Sequence, residues 1–233
     1  MLNDIRLCVI SNKRPQNVKN METVCEPHKI YWYVGKKQKQ EYENAGAYWV
    51  KDSGGLSDSR NQAIIDSQKE KKHCLQLDDD FKKVQFINKN KKGVDWELSK
   101  AIKEMSNYIN NNMLVGVSPT NNAFYFNPKK PFSTKNFIIG SMCLINKKNK
   151  CRFDNNLKLK EDYDFTIENI YRYGSVLRMN YIMPTFQHYT NKGGAVETRN
   201  DETEKESIQK LFDKHGDKIR LNKKRKNEIL MAL

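Results

Sequence analysis

The sequence predicts an α/β domain built on a mostly parallel central sheet with helices on both faces. Two observations carry this. Ile5–Ile10, Ile30–Val34 and Cys74–Leu77 are short apolar runs of strand length, and polar helix-compatible segments separate them. The last of these runs empties directly into Asp78-Asp79-Asp80, at the end of a strand where open α/β sheets gather their ligands. No internal repeat or long low-complexity linker interrupts the 233 residues. The chain therefore reads as one domain over residues 1–198, with residues 199–233 as a charged helical extension of it at the periphery.

Taken in order, Ile5–Ile10 is a buried first strand that opens into Ser11-Asn12-Lys13-Arg14-Pro15, and Ile30–Val34 is a second strand. Lys36 to Ala45 is a weak helix closed by Gly46, and Tyr48 to Val50 a short strand. Ser57-Asp58-Ser59 is expected to cap a helix from about Arg60 to Glu70. Leu98, Ile102, Met105 and Ile109 fall on one helical face, with Asp95 as its cap. Met113–Val117, Ala123–Phe126 and Phe137–Ile145 are strand candidates, Lys160–Tyr173 is a helix stopped by Gly174, and Val176–Met183 is a further strand. On that helix Tyr163, Ile167, Ile170 and Tyr171 are expected to share one side, and past Arg199 a weak amphipathic stretch covers Ile208 to Phe212.

Lysine and arginine exceed aspartate and glutamate by 42 − 28 = 14, a surplus that attracts polyanions and makes nucleic acid a natural partner, although a solvated lysine-rich surface produces the same count. The five cysteines form no C-x-x-C pair, which favours reduced structural thiols and a cytosolic setting. No uninterrupted apolar stretch suits a signal peptide or a membrane span.

The chemistry-bearing residues cluster by type. Three adjacent carboxylates repel one another unless a cation neutralises them, and dense oxygen ligands suit Mg²⁺ or Mn²⁺; an acidic turn closing a strand is the plainer alternative. In an extended segment Asp78 and Asp80 share a face. Upstream, Gly54-Gly55 permits close backbone approach at a helix start, where Arg60 adds positive charge for an anionic ligand such as a nucleotide diphosphate. An ordinary capped turn would also explain these residues. Lys82, Lys83, Lys89, Lys91 and Lys92 follow the acidic triad, with Phe81, Phe86 and Trp96 interleaved or following: a surface suited to a nucleic-acid strand, or else core aromatics beside a solvated charge run.

In order, Ser11-Asn12-Lys13-Arg14-Pro15, Ser59-Arg60-Asn61, Leu77-Asp78-Asp79-Asp80, Lys160-Glu161-Asp162-Tyr163-Asp164 and Gln187-His188-Tyr189-Thr190-Asn191-Lys192-Gly193-Gly194 resemble the motifs of GT-A-fold glycosyltransferases. Among these the arrangement is most similar to the TET/JBP-associated glycosyltransferases, with which phages and kinetoplastids add sugars to hydroxymethylated pyrimidines in DNA. The resemblance covers about Ile5 to Gly194, and residues 199–233 match nothing in it. It implies a GT-A-like, Rossmann-like fold and a UDP-sugar donor, with glucose the expected sugar. Ser11, Arg14, Gly55, Arg60 and Asn61 are its implied donor contacts, joined by Asp78, Asp79, Gly193 and Gly194. It implies a metal held by Asp80, Asp78 and His188, the last taken alone being equally a structural or surface imidazole, with Asp162 as the base, Glu161 beside it and Asp164 at the same helix start. An acidic first helical turn favoured by the macrodipole is the alternative for the last three. Other acceptors (a polysaccharide, a lipid-linked sugar or a protein), nucleotidyl transfer with two metals, and a non-catalytic basic nucleic-acid-binding module remain competing functions.

Overall fold

Alternation along the first strand sets the layers. In β1 (Ile5–Ile10), Leu7 and Val9 enter one apolar cluster while Cys8 and Ile10 enter another, so the strand is buried on both faces, as a central parallel strand requires. The computed structural model describes residues 2–187 and 199–233. The remaining strands are β2 (Ile30–Val34), β3 (Val50–Asp52), β4 (His73–Asp78), β5 (Phe81–Ile87), β6 (Gly93–Trp96), β7 (Leu114–Val117), β8 (Phe132–Ser133), β9 (Met142–Ile145), β10 (Leu177–Met179), β11 (Ile182–Phe186), β12 (Ile219–Leu221) and β13 (Ile229–Met231). The helices are α1 (Val18–Val24), α2 (Lys39–Asn44), α3 (Leu56–Lys69), α4 (Leu98–Ile109), α5 (Glu161–Tyr173) and α6 (Asp201–His215).

The main sheet has eight strands in the order β3-β2-β1-β4-β9-β7-β10-β8. Strands β3, β2, β1 and β4 run parallel, β9 is antiparallel to both its neighbours, and β10 is again parallel to β7. Val18 and Met21 of α1, Tyr42 of α2 and the apolar stripe of α4 pack on one face. Ala63 and Ile64 of α3 with Phe165 and Ile170 of α5 cover the other. A three-stranded antiparallel sheet, β11-β5-β6, leaves the carboxyl edge of β4.

Several expected elements shift for identifiable reasons. Helix α3 starts at Leu56 rather than near Arg60: Gly55 is its N-cap, and Asp58 accepts the Gly55 N–H at 3.0 Å. Helix α4 is entered from Glu97, because Asp95 is already paired in β6 against Gln85. The strand expected at Tyr48 to Val50 lies at Val50–Asp52. Ala123 to Tyr125 is a 3₁₀ turn, not a strand, since the Asn122 side chain caps it through the Phe124 N–H. Of Phe137–Ile145 only Met142–Ile145 joins the sheet, because Ile138 turns its N–H onto Thr166 Oγ1 of α5. Val176–Met183 divides into β10 and β11 around Asn180, whose amide donates to Ser133 Oγ and the Lys130 carbonyl. Tyr171 is exposed rather than on the buried side of α5.

Residues 199–233 are not a peripheral tail. Ile208 and Leu211 of α6, Ile219 of β12 and Ile229 of β13 form one cluster with Leu157 and Ile167, so the segment covers the outer side of α5. His215 is buried there, with Nε2 2.7 Å from Asp164 Oδ1. All five cysteines are free and buried. No helix among the described residues is long and apolar enough to cross a membrane.

Candidate functional site

The parallel strands end on a cleft of about 560 Å³ lined by the loop after β1, the Gly54-Gly55 turn, the end of β4 and the first turn of α5. The topology supplies the reason: β1 and β4 are neighbours in register, with Ile10 opposite Asp78, so the chain leaving each strand reaches the same edge.

Arg60 organises the floor. It is buried on α3, and its guanidinium donates from Nε to Glu161 Oε1 (3.2 Å), from one terminal nitrogen to Gln76 Oε1 (3.2 Å) and the Gly140 carbonyl (2.8 Å), and from the other to Asp78 Oδ1 (3.1 Å). Burial opposes its charge, but the Asp78 and Glu161 charges outweigh that and hold its pKa above the usual value. Arg60 lines the cleft as expected of a donor contact, and four of its five N–H donors go to protein acceptors, two of them carboxylates that it fixes.

The three aspartates separate. Asp79 is buried, accepting from the Ser11 hydroxyl and from Arg14 at 3.0 Å. Burial pushes its pKa up to about 6 against those opposing contacts. Ser11 and Arg14 thus hold Asp79, assisted by Tyr42, whose hydroxyl lies 2.5 Å from Ser11 Oγ and accepts the Arg14 N–H at 2.9 Å. Asp78 and Asp80 both line the cleft; Arg14 lies 3.8 Å from Asp80 Oδ2, and the Asp78 carboxylate is partly open. Ser11, Arg14 and Asp79 line the cleft as well, with Asp79 tied to the β1 loop, while Asp78 and Asp80 offer the hard oxygen donors that Mg²⁺ or Mn²⁺ prefers.

On α5, Glu161 and Asp162 face the same cleft. Burial, then the adjacent Asp162 charge, pushes Glu161 up to about 7. Burial also raises Asp162, although Oδ2 accepts the Gly140 N–H at 3.1 Å and Oδ1 the Tyr163 N–H at 3.0 Å. A carboxylate so oriented, with its proton affinity raised, is suited to receiving a proton. Asp164 points away from the cleft and into the α6 contact, meeting His215 and Lys214, each at 2.7 Å.

Asn61 does not reach the cleft. It brackets Phe153 by accepting that residue's N–H and donating to its carbonyl, both at 2.8 Å, and so ties α3 to the strand-free segment before α5. Gly55 lines the cleft as expected. His188, Gly193 and Gly194 lie outside the described residues. Sequence reasoning missed Tyr42, Gln76, Gly140, Lys158, Lys160 and Arg199. Gln76 carried a signal, being an amide between two buried leucines in a central strand, where a polar group requires a partner. Lys160 and Arg199 carried none, since Glu204 of α6 brings them together, at 2.7 Å and 3.2 Å.

Compared with known proteins, the chain matches no family model and no curated sequence is significantly similar to it.

Asp78 and Asp80 could supply oxygen ligands to a divalent cation, the α3 N-terminus and the exposed Lys158 could meet an anion, and Asp162 could take a proton.

Proposed function

We propose that the chain is a glycosyltransferase of the GT-A type that moves a sugar from a UDP-sugar to a hydroxymethylated pyrimidine in DNA with inversion. The observation that carries this is the convergence of Asp78, Asp80, Glu161 and Asp162 with the Gly54-Gly55 turn on one cleft at the carboxyl edge of parallel strands.

A bound Mg²⁺ or Mn²⁺ would neutralise charge developing on the leaving diphosphate, and Asp78 and Asp80 are the residues whose chemistry fits it. The protein's own residues do the rest. Arg60 fixes Asp78 and Glu161, and the α3 N-terminus with Lys158 receives the diphosphate. The acceptor hydroxyl oxygen bonds to the anomeric carbon as the bond from that carbon to the diphosphate breaks, and the hydroxyl proton passes to Asp162. The surplus of 14 positive charges supports a polyanionic acceptor.

The test is incubation with a panel of nucleotide sugars and Mn²⁺, followed by nucleoside mass analysis of hydroxymethylated and unmodified DNA. A hexose mass on the hydroxymethylated nucleoside alone is expected. Transfer to a polysaccharide, lipid-linked or protein acceptor instead would reassign the acceptor, and no transfer from any donor would leave a nucleic-acid-binding protein.

A further inference from the structure

Lys82, Lys83, Lys89, Lys91 and Lys92, which follow the acidic triad, do not line the cleft. Strand β5 carries Lys82 and Lys83 out from Asp80, and the turn to β6 places Lys89, Lys91 and Lys92 at the far end of the hairpin, all exposed. Six residue steps from Phe81 to Ile87 span roughly 20 Å at the usual strand rise. Between Phe81 and Trp96 five lysines stand against one carboxylate, Asp95, which is occupied by Lys83 at 3.0 Å. The hairpin tip therefore keeps its charge.

The aromatics near this tip are also not those the sequence suggested. Phe86 and Trp96 stack on each other at 4.8 Å and pack against the core, and Phe81 is buried. In their place the 3₁₀ turn after β7 exposes Phe124 (76%) and Tyr125 (64%) in edge-to-face contact, ring centroids 5.4 Å and planes 87° apart, so that each ring can offer a face to a different base. This turn is a built feature. Asn122 caps it, Phe126 anchors it in the core and Ala123 packs beside that core. Lys91 joins the two pieces, donating to the Phe124 carbonyl at 3.3 Å with its ammonium 5.9 Å from the Phe124 ring. Adjacent exposed aromatic faces cost free energy in water, and cations beside them match a ligand that is apolar in its flat faces and anionic along its backbone.

We propose that Phe124, Tyr125 and the Lys89–Lys92 tip form a nucleic-acid-binding shelf that stacks unpaired bases of a strand. The position follows from the fold: β7 is parallel to β4, so the turn after β7 and the carboxylate cleft lie at the same edge of the main sheet. At about 3.4 Å per nucleotide, the roughly 20 Å length of β5 matches about six stacked nucleotides of a strand. The shelf is thus a second contact on the acceptor, holding the strand away from the reacting base. As a statement about the acceptor it rests on the function proposed above, but its test needs no sugar transfer.

The experiment is fluorescence anisotropy with a labelled single-stranded oligothymidylate and a duplex of equal length, without donor, across a salt series. The wild-type protein is expected to prefer the single strand. Phe124→Ala with Tyr125→Ala should weaken single-strand binding about tenfold or more with little change in salt dependence, whereas Lys89→Glu with Lys91→Glu should weaken both probes and flatten the salt slope. Unchanged thermal melting in both double variants would show that the fold is intact. Single-strand affinity unaltered by the aromatic pair, or equal competition by polyglutamate, overturns the shelf as a base-stacking surface. Sugar transfer could fail while this binding holds, or the reverse, so the two proposals are separable.

Discussion

Arg60 and Glu161 meet in the cleft floor with Nε 3.2 Å from Oε1, joining helices α3 and α5 across a sequence separation of 101 residues. Both side chains are buried, and the same guanidinium holds Asp78 at the end of β4. Three elements are thereby fixed by one side chain. Breaking a buried pair on one side leaves the other charge uncompensated, which is far costlier than replacing both partners.

Arg60→Ala is therefore expected to destabilise the fold by about 3–5 kcal/mol. Arg60→Lys keeps the charge but cannot reproduce the planar fork to Glu161, Gln76, Gly140 and Asp78, so it should recover only part of that loss. Urea unfolding of the two variants checks this, and equal stability of Arg60→Lys and wild type would contradict it.

Stability should also fall as pH rises through the weakly acidic range. Glu161 is raised from 4.5 to about 7 and Asp79 from 3.8 to about 6, both chiefly by burial. A carboxyl whose folded pKa is raised contributes its stability below the unfolded value and loses it as pH climbs through the folded one. Between about pH 4.5 and 7 the Glu161 contribution disappears, on the order of 1–3 kcal/mol. Glu161→Gln should flatten that part of the curve relative to wild type; parallel curves at pH 5 and pH 7.5 would show that Glu161 does not titrate there.

Long, regular features were legible in the sequence, and contacts made across the fold were not. The apolar runs at Ile5–Ile10 and Ile30–Val34 coincide with β1 and β2, because unbroken burial on both faces leaves a strong compositional trace. That Asp78 and Asp80 end a strand at the ligand edge was read from the apolar run before them, whereas the placing of Glu161 and Asp162 in the same cleft was implied only by the resemblance of their motif. By contrast, the internal bonds of Arg60 to Glu161 and of Asn61 to Phe153 were not legible, because those partners lie about a hundred residues away. Strand β5 was missed for the same kind of reason: Lys82 and Lys83 obscure a strand whose partner, β11, comes from beyond α5. The charged composition of α6 likewise concealed His215, whose burial depends on α5, although the stretch Ile208 to Phe212 containing Leu211 was legible as weakly amphipathic.

The packing of α6 gives a prediction about stability rather than chemistry. Leu211 is fully buried against Leu157 and Ile167, so Leu211→Ala should cost about 2–5 kcal/mol. His215→Ala removes one of the two partners 2.7 Å from the Asp164 carboxylate and should cost about 1–3 kcal/mol. Chemical denaturation with a single cooperative transition would show that the segment unfolds with the sheet; an unaltered midpoint in Leu211→Ala would return it to the periphery.

Metal dependence provides a test confined to Asp78 and Asp80. A chelator should abolish sugar transfer by the wild-type protein, and Mn²⁺ or Mg²⁺ should restore it. Asp80→Ala should lose turnover and metal-dependent donor binding together, as followed by calorimetry with the nucleoside diphosphate and Mn²⁺. Because Asp79 is held by Ser11 and Arg14, Asp79→Asn should chiefly lower stability, leaving the metal requirement in place. Chelator-resistant transfer would mean that the carboxylates have another purpose.

The assignment of the base is tested most directly at Asp162. Both of its oxygens accept backbone N–H groups, from Gly140 and Tyr163, so the carboxylate is held in place before any acceptor arrives. Asp162→Asn preserves the size but turns an NH₂ toward one of those donors, so a melting-temperature decrease should accompany the kinetic effect and must be measured beside it. With the folded fraction accounted for, kcat should fall by about 10²- to 10⁴-fold, the range for loss of a general base, while donor binding in the presence of metal stays near wild type. Glu161→Gln should lower kcat less, since Glu161 is tied to Arg60 and its raised pKa leaves it partly protonated near neutrality. A single displacement assisted by one base inverts the anomeric centre, so an α-linked donor should yield a β-linked product by NMR. Retention of the α linkage, or an Asp162→Asn protein with normal kcat, would move the proton-accepting role elsewhere in the cleft.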